Sequence, residues 1–204
     1  MEDIDLVQTQ PEPTGATIDA IRDALSWLGK FKRNRTEHST HLQFKFIPEA
    51  IPESKLKLKI EINTCEHDSF FDLKKHSFEV NNDWYKAKTE IASFEPEELF
   101  GTKLRALLQR RKNRDLFDLS EGMKQLSLEP DKLIACFEHY LALEGNSISR
   151  AAAEQRVLEK LNRSLIEDVA PFLPAGITFN EDEAIVAFGM ITRLKRTPGN
   201  LQTR

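Results

Sequence analysis

The sequence predicts an α+β protein: a small mixed sheet with a flanking helix, then a C-terminal helical bundle. Three observations carry this prediction. Lys55 to Asn63 alternates polar and apolar, with Leu56, Leu58, Ile60 and Ile62 on one side, as a half-buried strand does. Pro96-Glu97-Glu98 then opens a helix, with proline in the first turn and acids at the positive end of the dipole. From there to about residue 196 the apolar residues recur at helical rather than strand spacing.

The elements follow in order. Ile4-Asp5-Leu6-Val7 alternates as a strand, and Pro11, Pro13 and Gly15 break the chain. Thr17 caps a helix reaching about Leu28, with Ile18, Ile21, Ala24, Leu25 and Leu28 on one face and Gly29 closing it. A basic stretch follows, Lys30, Lys32, Arg33 and Arg35. His41 to Phe46 and Lys55 to Asn63 are strands separated by Pro48 and Pro52. Phe78 to Val80 and Ile91 to Phe94 are shorter strands. Helices are predicted from Glu97 to Arg111, onward to Leu126 after a turn at residues 113–115, from Asp131 to Glu144, from Ser149 to Val169, and from Asn180 to Arg196. This divides the chain into an α/β domain over 1–95 and a helical domain over 96–204.

Composition narrows the function. The chain has 204 residues, 40% hydrophobic and 30% charged, with a formal net charge of −4. That balance excludes a histone-like whole-molecule nucleic-acid binder but leaves room for a local basic groove. Cys65 and Cys136 are far apart and lack the paired spacing of a zinc site, so they read as reduced, packed thiols of a cytoplasmic protein. No apolar run approaches the roughly 18 residues of a membrane span, and no secretory leader opens the chain, so no membrane partner is expected.

Three groups of residues could carry chemistry. Asp3 and Asp5 stand at i, i+2 on a strand and so share a face, where two carboxylates can chelate a hard cation such as Mg²⁺. On its own the pair also fits a solvated chain end. Glu61 lies on the polar face of its strand and could add a third carboxylate to a phosphoryl-transfer site. It equally fits a strand face of Lys–Glu pairs. The strongest group spans Glu97 to Leu119. From Gly101 to Arg114 it is basic without an acid, including Lys103, Arg110, Arg111 and Arg114, and Asp115 and Asp118 follow at i, i+3. Lys103 shares a stripe with Leu99, Leu107 and Arg111, an awkward place for a charge unless it reaches an anion. Asp115 also suits a helix N-cap, and Asp118 a first-turn acid. The five histidines show no metal-protease spacing, and neither a Walker A nor a GxGxxG occurs.

Lys103-Leu104-Arg105-Ala106-Leu107-Leu108-Gln109-Arg110, the short basic turn, and Arg114-Asp115-Leu116-Phe117-Asp118-Leu119 resemble the AbiEii/AbiGii toxin family of nucleotidyltransferases. That family belongs to the DNA polymerase β-like superfamily and supplies the toxin of type IV toxin–antitoxin and abortive-infection systems. Glu2-Asp3-Ile4-Asp5-Leu6 looks like the end of its first motif, and Lys57 to Asn63 like its middle strand. The family's first motif opens upstream with a Gly-Gly-Thr or Gly-Ser turn that grips the nucleotide phosphates. Met1 stands at the serine of its Ser-Glu-Asp, so a chain lacking that turn is expected.

The resemblance implies a nucleotidyltransferase-like sheet and a transfer of a nucleotide from a Mg-NTP to an RNA (tRNA) or protein acceptor. It implies that Asp3, Asp5 and Glu61 bind Mg²⁺ and that Lys103 neutralises phosphate charge. Asp115 would orient basic groups or assist the attacking hydroxyl. Arg110, Arg111, Arg114 and Asp118 would serve substrate binding, and a cognate antitoxin would be the protein partner. The alternative is a non-catalytic nucleic-acid- or partner-binding module of the same fold.

Overall fold

Period-two alternation builds the first sheet. In this computed structural model, which describes residues 2–110 and 114–161 and isolated positions between 169 and 189, four strands pair in the order β1-β4-β3-β2. They are β1 (Glu2–Val7), β2 (Phe31–Arg35), β3 (Ser39–Phe46) and β4 (Leu56–Asn63). β1 runs parallel to β4, and the other two pairings are antiparallel. Leu42, Phe44, Ile60 and Ile62 point to one face and are buried there. Helix α1 (Gly15–Ala24) covers that face with Ile18 and the half-buried Ile21.

Helix α1 is shorter than the periodicity predicts. It stops at Ala24, and a 3₁₀ turn over Ser26–Leu28 tightens the chain so that Leu28 still enters the core. Gly29 then adopts φ +85°, open to glycine at little cost, and the chain reverses into β2. The basic stretch predicted after Gly29 is thus an edge strand. Its Phe31 packs on Phe44, ring centroids 5.2 Å apart, and the rest of the strand is exposed.

A separate antiparallel ribbon joins β5 (Lys74–Asn81) and β6 (Lys86–Ser93), both longer than predicted. Few of their residues are buried, so the apolar alternation that reveals a strand is weak. The turn is fixed instead by Asn82, whose Oδ1 accepts from the amides of Trp84 at 3.0 Å and Tyr85 at 2.8 Å.

The helices are α2 (Pro96–Gln109), α3 (Arg114–Gln125), α4 (Pro130–Leu143) and α5 (Arg150–Leu161). They bury Leu104, Leu107, Leu116, Leu119, Leu133, Phe137 and Val157 together. α2 and α4 approach at Gly101, where an added Cβ would sit 2.9 Å from Cys136 Cβ. The end of the fourth predicted helix, most of the last one and the tail lie outside the described residues. Among the described residues, no helix is long and apolar enough to cross a membrane.

The chain divides into two compact units, Met1–Ser69 and Phe70–Arg204, so the ribbon groups with the helices. Glu98 of α2 accounts for part of this grouping. Its side chain is fully buried and accepts from the amides of Phe70 at 2.7 Å and Phe71 at 3.0 Å, and from the Tyr140 hydroxyl. A buried carboxylate is tolerated when its lone pairs are filled in this way. Burial together with Glu98 also pushes the Tyr140 hydroxyl to a higher pKa.

The expectation of two packed thiols holds for Cys136 and fails for Cys65. Cys65 lies just past β4 in a loop shaped by Asn63, whose Oδ1 accepts the Cys65 amide at 3.0 Å, and it is exposed. Burial, helped by Glu98 nearby, pushes the Cys136 thiol up to about 12. A disulfide-exchange reagent at pH 8 should therefore titrate one thiol in the native protein and two after unfolding. Glu98→Ala strands three buried donors and should lower unfolding stability by on the order of 3 kcal/mol in urea titrations. A loss below about 0.5 kcal/mol would remove this clamp from the account.

Candidate active site

Strand register assembles the acidic corner of the first unit. Parallel pairing sets Asp3 beside Lys59 and Asp5 beside Glu61, and β3 places His41 on the other side of Glu61. All these side chains belong to the face opposite the apolar core, since strand side chains alternate. Asp3 and Asp5 are exposed.

Glu61 is held by its neighbours. Lys59 Nζ donates to its Oε2 at 2.6 Å, and His41 Nε2 lies 3.3 Å from its Oε1. His41 Nε2 also lies 2.7 Å from Ser39 Oγ. The Lys59 hydrogen bond holds the Glu61 carboxyl below its ordinary range, with His41 adding to the effect and partial burial opposing it. Lys59 is raised in turn, first by Glu61 and then by the charges of Asp3 and Asp5. The lowered carboxyl favours the folded state above the ordinary carboxylate range, and this contribution is lost as pH falls through the lowered value. Among the described residues, no three His, Cys, Asp or Glu side chains converge as a metal cluster.

The second unit carries the basic group. Lys103 does reach an anion: its Nζ lies 2.5 Å from Asp118 Oδ2. An α2 residue is thus tied to α3 across the basic turn. Asp118 stands beyond the first turn of α3, which starts at Arg114, and so does not act on that helix's dipole. Asp115 is not the N-cap but lies in the first turn, only 5% exposed. Its Oδ2 is buried and has no hydrogen-bond partner among the described residues. A buried carboxylate oxygen left unpaired is costly.

Arg110 and Arg114 are exposed on either side of residues 111–113, and Arg111 lies outside the described residues. Sequence reasoning missed two further cations here. Arg156 Nη1 donates to the Leu108 carbonyl at 3.1 Å, and Lys160 Nζ to the Arg110 carbonyl at 2.6 Å. Both come from α5 and satisfy carbonyls that the end of α2 leaves open. It also missed Lys59 and His41 as the partners of Glu61. The polar alternation of their strands was visible, but the register that brings them together was not.

The model of the family described as "Nucleotidyl transferase AbiEii toxin, Type IV TA system" matches residues 2–187. The chain belongs to this AbiEii family. A crystal structure of a candidate nucleotidyltransferase from H. pylori is similar in fold, with a TM-score of 0.51 and 17% identity, covering 94% of this chain and 76% of that one. No curated protein matches the sequence. Membership and the likeness in fold agree with the predicted α+β architecture.

Replacing Asp115 by asparagine tests what its burial means. Asp115→Asn should hold or raise the melting temperature, because it removes an incompletely paired buried charge, and should still depress any nucleotide transfer. A clear drop in melting temperature would identify Asp115 as a structural anchor.

Proposed function

We propose that this chain is a Mg²⁺-dependent nucleotidyltransferase toxin that moves a nucleotide from an NTP to an RNA acceptor, tRNA foremost, with a protein acceptor as the second choice. A cognate antitoxin would restrain it, in line with the type IV system of its family. A cytoplasmic location is part of the same proposal. The observation that carries it is the exposed Asp3–Asp5 pair, on one sheet face and in register with Lys59 and Glu61.

The donor set suits a hard cation. Asp3 and Asp5 offer exposed carboxylate oxygens on one strand face, the ligand type that Mg²⁺ prefers. Glu61 is engaged by Lys59 and His41, so its part is to hold Lys59 beside the pair or to yield to the ion as a third ligand. When bound, Mg²⁺ neutralises triphosphate charge and favours in-line displacement at the α-phosphorus.

The protein's own task is positioning and charge compensation. Lys103 would meet phosphate oxygens, with Asp118 fixing the direction of its ammonium group. Asp115 would orient basic groups or accept the proton of the attacking hydroxyl. Arg110, Arg111 and Arg114 would contact the substrate or the RNA backbone, where Arg suits phosphate geometry.

The test uses the full-length protein with Mg²⁺, each of the four α-labelled NTPs and total RNA. Label should enter RNA with one NTP preferred and vanish with a chelator. Asp5→Asn and Lys103→Ala should each cut the rate by about 10²–10³-fold. No transfer to RNA or to protein with any NTP would reject catalysis and leave the binding module.

A further inference from the structure

The open face of the four-stranded sheet changes sign across its width. Three cross-strand rows can be read from the register. The first is Asp5, Glu61, His41 and Asn34; the second is Asp3, Lys59, Gln43 and Lys32; the third is Lys57 opposite Lys45. Acid at the β1 corner gives way to lysine toward β2 and toward the start of β4.

Lys45 and Lys57 oppose each other directly in an antiparallel pair. Like charges in that position are unfavourable, and sheets ordinarily place opposite charges there. The ribbon in the other unit follows that rule: β5 Glu79 directly opposes β6 Lys88, 4.0 Å apart, and Lys75 reaches Glu90 on the diagonal at 3.8 Å. In the four-stranded sheet, Lys32, Lys45 and Lys57 are exposed and have no ion-pair partner among the described residues. The loop acids Glu49 and Glu53, between β3 and β4, make no ion pair with them.

We infer that Lys32, Lys45 and Lys57 form a track for the phosphate backbone of a nucleic-acid acceptor strand, which crosses the open sheet face toward Asp3 and Asp5. This rests on the nucleotidyltransferase reading of the same corner. Lysines on flexible stems act as point charges and bind a backbone without reading its sequence. Gln43 lies opposite Lys32 and two residues before Lys45 on its strand, and Asn34 stands one row nearer Asp5; both can hydrogen-bond sugars or bases. The face presents no aromatic side chain from these strands, so binding rests on charge and is salt-dependent.

Fluorescence anisotropy of the full-length protein with a labelled single-stranded RNA of roughly 12 nucleotides, without NTP and with chelator present, tests the track. Lys32→Gln/Lys45→Gln/Lys57→Gln should bind at least tenfold more weakly, and the slope of log K against log salt should flatten by about 2. The control Lys75→Gln/Lys86→Gln/Lys88→Gln on the ribbon removes equal charge and should bind RNA like the parent. Unchanged binding by the first variant, an equal loss in the control, or no RNA binding by the parent at low salt would each overturn the inference. So would equal affinity for polyglutamate of matching charge, which assigns the face to an acidic protein. Loss of a fluorescent NTP analogue with RNA affinity intact would assign the lysines to the triphosphate and overturn it as well. Parent protein that binds RNA through these lysines yet transfers no nucleotide would sink the catalytic reading alone. Transfer with an unchanged KM for RNA in the first variant would sink the track alone.

Discussion

Parallel pairing leaves little freedom in what faces what. A slip of one residue between β1 and β4 would turn Asp3 and Asp5 to the apolar side and bring Ile4 and Leu6 to the open one. The buried Ile60 and Ile62 of β4, packed under α1, prevent the corresponding slip in β4 itself. The acidic corner is therefore a consequence of hydrophobic packing on the opposite face of the same sheet. Its geometry does not depend on any contact among the acids, which would repel one another if left to themselves.

The second unit solves a different problem with the same means. Several of its charges are tied to named partners. Glu98 takes its donors from the residues just before the ribbon and from α4, which fixes the ribbon's base to the helices. Lys103 spans to Asp118, and α5 supplies Arg156 and Lys160 to the open end of α2. Asp115 stands apart from these, with one buried oxygen unmatched among the described residues. His76 Nε2 in the ribbon shares that condition, so the unmatched oxygen motivates the role proposed for Asp115 without deciding it.

What was legible in the sequence follows from periodicity and range. β3, β4 and the helices from Pro96 onward announce themselves because half of each element is buried in a core. β2 and the ribbon were read as a basic stretch and as two short strands because they bury little, and an exposed strand leaves weak alternation. The candidate acids and bases were visible as residue types at telling spacing. Their partners were not, because Lys59, His41 and Asp118 are assigned by strand register or by helix packing across many residues. The grouping of the ribbon with the helices was hidden for the same reason, since it runs through a single buried carboxylate at Glu98.

Two of the lysines given roles in the proposal, Lys59 in the first unit and Lys103 in the second, are both tied to carboxylates, at 2.6 Å and 2.5 Å. In half-exposed positions such pairs add little to stability. On the proposed reading their value would be directional: a lysine already held in one orientation loses less side-chain freedom when phosphate binds. The pairing also sets a condition on the anion. If the proposal holds, a triphosphate would have to offer Lys103 more than Asp118 does, and a cation at Asp3 and Asp5 would have to leave the Lys59–Glu61 pair in place or compete with it. A single monoanion would compete weakly on both counts, whereas a metal-bound triphosphate brings several charges at once. On the proposed reading the two ion pairs offset their own charges and leave Asp3 and Asp5 as the uncompensated acids, which suits a cation-carrying polyanion better than a simple one.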